Sequence, residues 1–217
     1  GAHDELFAKN EMIRRELAIA KRVQQFIIPG DFSRFPSPLI TGRYLPIEDI
    51  GGDYFDAYQL ENGGVGMVIA DVTGHGIPAA MVMTMSKMIF SVYAAEYAST
   101  SMLMARVNRE MRGLLLDGQY ITAFYLIYDP GSMRVYFTNA GHCAPLYYRK
   151  RTDRVFALDT KGLFIGIMDG TEYEEKAIDV ESGDALLLFT DGITEMRNGV
   201  REEYGEKRLA RYLRMHH

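Results

Sequence analysis

The chain of 217 residues has a single cysteine, Cys143, and no tryptophan. One thiol excludes an internal disulfide and any zinc site built on several thiolates, and it fits a reducing, cytoplasmic setting. Basic residues are in short supply as well: 24 Lys and Arg stand against 29 Asp and Glu, a net charge of −5. Without a basic excess or stripe, nucleic acid is not an expected partner. No strongly apolar run approaches the roughly 20 residues of a membrane span, and no secretory leader opens the sequence, so no membrane contact is expected in this segment. Gly1-Ala2-His3 reads as an appended remnant, and the natural protein is expected to begin further upstream.

What is present is ordinary globular material. A hydrophobic fraction of 47% and a charged fraction of 24% allow a packed core without covalent staples. The length suits one core domain with an appendage. That appendage is a helix expected from Asp4 to Ile28, stopped by Pro29-Gly30. Leu6, Asn10, Ile13, Leu17, Ala20, Gln24 and Ile27 follow at alternating intervals of four and three, a heptad seam with Asn10, Leu17 and Gln24 at a positions. Two readings stay open: a parallel two-stranded coiled coil that makes the chain a homodimer, or packing on its own domain, aided by a second stripe of Met12, Ile19, Val23 and Phe26.

Beyond Phe32 the pattern turns to short strands and two long helices. A buried strand is expected over Val65–Asp71, and a helix from Ile77 to Tyr97 with Pro78 near its first position. Met81, Met83, Met85 and Met88 fall on both faces of that helix, which predicts burial between layers. A further helix is expected over Ser101–Leu116. Strands are expected over Ile121–Tyr128 and Met133–Thr138, joined at Asp129-Pro130-Gly131-Ser132, and then over Ala144–Tyr148, Arg154–Leu158, Tyr173–Val180 and Ala185–Phe189. This order favours α+β over a doubly wound fold.

The chemistry concentrates in three places. Asp53 and Asp56 follow Gly51-Gly52, Asp71 closes an apolar strand ahead of Gly74 and Gly76, and Asp191 follows the run Ala185–Thr190. Carboxylates at strand ends, beside glycines that let backbone carbonyls approach, suit a hard divalent cation held by oxygen. Asp191 is expected to end a buried strand, where a metal would justify a charge. Asp56 and Glu195 are expected to be structural. His75, at a helix start near Asp71, either stabilises the turn or contacts phosphate and protonates a leaving group; His142 is expected to serve structural hydrogen bonding.

Five blocks in order resemble one family: Gly51-Gly52-Asp53-Tyr54-Phe55-Asp56, Asp71 to Ala80, Thr122-Ala123-Phe124-Tyr125, Asn139-Ala140-Gly141-His142 and Thr190 to Glu195. The resemblance is to the SpoIIE-like branch of the metal-dependent serine/threonine protein phosphatases (PPM, type 2C), covers Arg43 to the end, and takes the leading helix as the family's linker. It implies a four-layer α-β-β-α sandwich of two antiparallel sheets, with residues 1–30 as linker and 31–217 as phosphatase domain. It also implies two Mn2+ or Mg2+ ions: Asp71 bridging both, the Val72 carbonyl on one, Asp191 on the other, and Asp53 binding or orienting a metal water. Asp71, Asp53 and His75 would then be the catalytic set. The implied substrate is a phosphoserine or phosphothreonine on an anti-anti-sigma-type regulator in bacterial signalling, with an upstream sensor acting through the helix.

Family members normally continue into a last strand with a paired-aspartate motif, and this chain stops at His217 without one. The phosphatase domain is therefore expected to lack its last strand. A pseudophosphatase or dimeric signalling scaffold is the principal alternative. A nucleotide cyclase, suggested by Gly51-Gly52-Asp53-Tyr54-Phe55, leaves Asp71 and Asp191 unexplained.

Overall fold

The computed structural model describes residues 1–35, 37–46 and 49–217. Helix α1 spans Ala2–Ile27, opens with Asp4 and Glu5 in its first turn, and ends where Ile28 turns extended ahead of Pro29. Both ends obey local rules: acids favour the positive helix start, and the residue before a proline is pushed out of helical geometry. Its fully buried residue is Gln24, with Leu17, Ala20, Lys21 and Ile27 half-buried around it. Leu6 and Ile13 of the heptad seam, and the whole stripe of Met12, Ile19, Val23 and Phe26, are exposed.

Five strands form the first sheet: β1 Tyr54–Gln59, β2 Val65–Val72, β3 Ile121–Asp129, β4 Arg134–Ala140 and β7 Lys176–Asp179, in the order β1-β2-β3-β4-β7 and antiparallel throughout. Strand β3 is apolar at successive positions because both its faces are covered. Ile121, Ala123, Tyr125 and Ile127 face helices α2 (Gly76–Tyr93) and α3 (Thr100–Arg112), packing with Met83, Phe90, Met104 and Met111. Phe124, Leu126 and Tyr128 take the opposite side, against Ile69, Phe137, Tyr147 and Leu158.

The second sheet holds β5 Leu146–Arg149, β6 Arg154–Ala157 and β8 Ala185–Leu187, in the order β6-β5-β8. Helix α5, Glu206–His216, covers its outer face, where Leu209 packs with Leu146 and Phe189. Layer order is thus helices, sheet, sheet, helix, as expected for the α-β-β-α sandwich.

Several boundaries moved. Helix α2 stops at Tyr93 rather than Tyr97, and α3 begins at Thr100 because Ser99 caps it and Glu175 accepts from the Thr100 amide at 2.5 Å. Strand β7 shortens to Lys176–Asp179 and β8 to Ala185–Leu187. The methionine helix is not sandwiched between layers. Met83 is buried, while Met81 and Met88 are exposed, since α2 is an outer layer with one face on the sheet. By length and apolarity alone α2 could cross a membrane, yet Ala79, Val82, Met83 and Phe90 pack in the core and Lys87 pairs with Asp56.

Candidate metal centre

The acids meet at one open end of the sandwich. Tyr54 pairs with Ala70, so the register continued by one residue sets Asp53 beside Asp71. Ile69 packs between the sheets, and strand alternation points Asp71, two residues on, to the same side. Phe55, which touches that core, gives Asp53 the same orientation. The Asp53 carboxyl lies within hydrogen-bonding reach of the Asp71 carboxyl. Two carboxylates this close cannot both ionise cheaply. Burial first, then the bond and charge of Asp53, then the charge of Asp191 push the Asp71 carboxyl up to about 8.

Glycines let the backbone close around this pair. A Cβ on Gly52 would sit 2.7 Å from the Val72 carbonyl oxygen, so that carbonyl lies against a bare backbone. Gly74 and Gly76, with φ of +94° and +70°, take conformations that side-chain-bearing residues rarely adopt. Between them His75 is extended and exposed at the N-cap of α2. Thr73 fixes the loop: its amide and hydroxyl both donate to the Tyr120 carbonyl at 3.0 Å, and the Tyr120 amide donates back to the hydroxyl at 3.0 Å.

Asp191 arrives from the second sheet. Strand β8 ends at Leu187, and Asp191 is the exposed first residue of a four-residue helix, α4, Asp191–Thr194. The expectation of a charge at the tip of a buried strand is corrected on this point, because the short second sheet does not enclose the turn. Asp191 is nonetheless close enough to raise the Asp71 carboxyl.

Sequence reasoning anticipated structural roles for Asp56 and His142 without their partners. Asp56 accepts from the Ala57 amide at 2.8 Å and pairs with Lys87. His142 lies between the sheets, its Nδ1 2.9 Å from the Thr122 hydroxyl and its Nε2 3.2 Å from the Phe189 carbonyl. Burial pushes its pKa down to about 4, with the Phe189 carbonyl and Asp53 opposing. Gln24 was read only as a heptad position. It donates to the Gly51 carbonyl at 2.6 Å and accepts from the Gly51 amide at 3.1 Å, bracing the backbone two residues before Asp53. The signal available was a polar residue repeated on an apolar seam.

Among the described residues, no three His, Cys, Asp or Glu side chains close into a ready metal cage. The donor chemistry still fits a hard cation: a half-buried pair of adjacent carboxyls, a third carboxylate near enough to act on one of them, and a carbonyl on bare glycine.

The model of the family Stage II sporulation protein E (SpoIIE) matches residues 61–217. The chain belongs to the SpoIIE family. Asp71, His75 and Asp191 of this SpoIIE-family chain lie inside the matched span and Asp53 just ahead of it. It is 30% identical over 195 residues to phosphoserine phosphatase RsbU of Bacillus subtilis, covering 90% of this chain and 58% of that protein. The chain therefore spans little more than half of that relative's length. Among solved structures, the SiaA PP2C domain of Pseudomonas aeruginosa superposes with a TM-score of 0.79 at 21% identity, covering 96% of this chain and 84% of that one. RsbX, solved in complex with magnesium, gives a TM-score of 0.55 at 17% identity, over 76% of this chain and 80% of that one. These likenesses establish the PP2C phosphatase fold.

Proposed function

We propose that the chain is a metal-dependent protein phosphatase that hydrolyses phosphoserine or phosphothreonine on a regulatory protein of the anti-anti-sigma type. The observation that carries this reading is the close Asp53–Asp71 carboxyl pair, with Asp191 near enough to act on Asp71, at a glycine-lined mouth. Two Mn2+ or Mg2+ ions would be held with Asp71 between them, the Val72 carbonyl on one, Asp191 on the other, and Asp53 on one ion or its water. Bound there, divalent cations lower the pKa of a water and absorb charge on the phosphoryl oxygens.

The chain's own groups do the rest. Loss of the Asp71 proton frees that acid as a ligand beside Asp53, while the paired glycines leave room for an incoming phosphoryl group. His75, exposed at the start of α2, is the acid proposed for the leaving serine oxygen, with the helix start favouring anionic phosphate. Residues 1–30 act as linker and 31–217 as the phosphatase domain in a cytoplasmic protein. The exposed Leu6 and Ile13 of α1 are proposed to pair with a second copy and relay an upstream sensor.

Hydrolysis of p-nitrophenyl phosphate and of a phosphoserine protein, with Mn2+ and with chelator, tests the proposal. Turnover that appears with Mn2+ and vanishes with chelator is expected; no metal-dependent turnover would sink it. The exposed position of Asp191 favours a second reading, a phosphoprotein-binding scaffold without turnover. That reading predicts binding of the phosphoprotein with its phosphate left intact.

A further inference from the structure

We propose that His142 is a positioning residue for the metal centre, setting Asp191 against Asp71 by tying the end of the first sheet to the turn that leaves the second. The inference rests on the metal-centre reading above and adds a residue that holds no metal itself.

The placement comes from two ladders. Asp71 and Thr122 are direct partners in the β2–β3 register, and the Thr122 hydroxyl lies 2.9 Å from His142 Nδ1. On the other side of the ring, Nε2 lies 3.2 Å from the carbonyl of Phe189, two residues before Asp191. One imidazole therefore spans the partner of the first acid and the approach to the other. Strand β8 ends at Leu187, so no ladder of the second sheet reaches Asp191 to hold it.

For a neutral ring the hydrogen-bond chemistry allows one arrangement. A carbonyl can only accept, so Nε2 carries the proton; Nδ1 then presents its lone pair, and the Thr122 hydroxyl donates to it. A neutral ring in a single tautomer makes a directional brace. The ring is also held from behind. The His142 amide donates to Asn139 Oδ1 at 2.7 Å, and Asn139 Nδ2 donates to the His142 carbonyl at 2.9 Å. Gly141 between them adopts φ +72° beneath the ring of Phe164, which a Cβ would strike at 2.1 Å. The Asn139-Ala140-Gly141-His142 block is thus a loop closed by the Asn139 side chain on the His142 backbone, and its product is a fixed imidazole.

The test is Mn2+ binding by calorimetry to the 217-residue chain, with hydrogen exchange of amides 189–193 in the metal-free state and thermal melts, for wild type, His142→Gln, His142→Asn and Thr122→Val. Glutamine keeps a donor and an acceptor at the reach of the ring and should bind Mn2+ close to wild type. Asparagine is too short for the Phe189 carbonyl. It should weaken Mn2+ binding by about tenfold, the lower end for outer-shell groups around a metal, and speed exchange at 189–193. Thr122→Val should fall between the two. A folded Asn variant with wild-type Mn2+ affinity and exchange overturns the inference. So does equal loss in the Gln and Asn variants in step with melting temperature, the signature of a purely structural role. A wild-type chain that takes up no Mn2+ overturns the metal-centre reading together with the inference, whereas normal wild-type binding beside an unaffected Asn variant overturns the inference alone.

Discussion

The two sheets present their acids in opposite ways. The first is five strands wide, covered on both faces, and carries Asp71 in a ladder that pairs it with Thr122, with Asp53 one residue beyond the end of the β1 ladder. The second has three strands of three or four residues, and Asp191 stands beyond the end of β8, exposed on a short helical turn. Backbone hydrogen bonds therefore set one half of the centre, and side-chain ties set the other. A rigid ladder fixes geometry cheaply because each bond supports its neighbours; a turn needs a specific partner for every degree of freedom it loses.

Removing one acid from each side breaks this comparison most directly. Asp71→Asn should cost about a thousandfold or more in Mn2+-dependent hydrolysis of p-nitrophenyl phosphate, several kcal/mol of lost charge stabilisation. Asp191→Asn should cost less and be partly restored by raised Mn2+. Equal losses with no metal rescue would show that both halves are equally rigid.

The His142 brace predicts an acid-sensitive fold. Its ring is held down to about 4 in the folded protein, against 6.5 for an ordinary histidine. The stability carried by the neutral ring is therefore complete above pH 6.5 and is lost as pH falls towards 4, by up to about 3 kcal/mol. Urea unfolding of wild type and His142→Gln at pH 7 and pH 4.5 checks this: the wild-type loss between the two should exceed that of the variant.

A smaller effect is expected where the first sheet is closest packed. Gly52→Ala drives a methyl against the Val72 carbonyl at 2.7 Å. The expected cost is about 1–3 kcal/mol by denaturant unfolding, with weaker Mn2+ uptake alongside. The least effect belongs to the outside of the second sheet. Arg214 pairs with Asp153 in an ion pair whose side chains are about half exposed. Arg214→Ala should shift stability by less than about 1 kcal/mol, and that shift should shrink in salt.

Much of the framework was readable from pattern. Val65 opened its strand where expected, and the Asp129-Pro130-Gly131-Ser132 turn joined β3 to β4. These follow from local rules: apolar runs between glycines, turn residues with fixed φ, and a proline that stops α1. Strand β1 was hidden inside the glycine-aspartate block, and the structural role expected of Asp56 found its partner, Lys87 on α2, only in the fold. Gln24 looked like a seam residue because periodicity counts spacing alone, and its partner Gly51 lies 27 positions away. The exposed methionines of α2 were missed for the same reason, since a stripe does not say whether another layer covers it.

Sequence by itself determined the set of carboxylates beside glycines, the family to which the chain belongs and the α+β order of its elements, because motif spacing and alternation are properties of neighbouring residues. Tertiary structure alone decided that Asp53 lies against Asp71 and helps raise its carboxyl, that Asp191 stays exposed, and that His142 reaches across to Phe189. Those outcomes depend on which distant strands meet at the sandwich mouth and how much water each acid loses there.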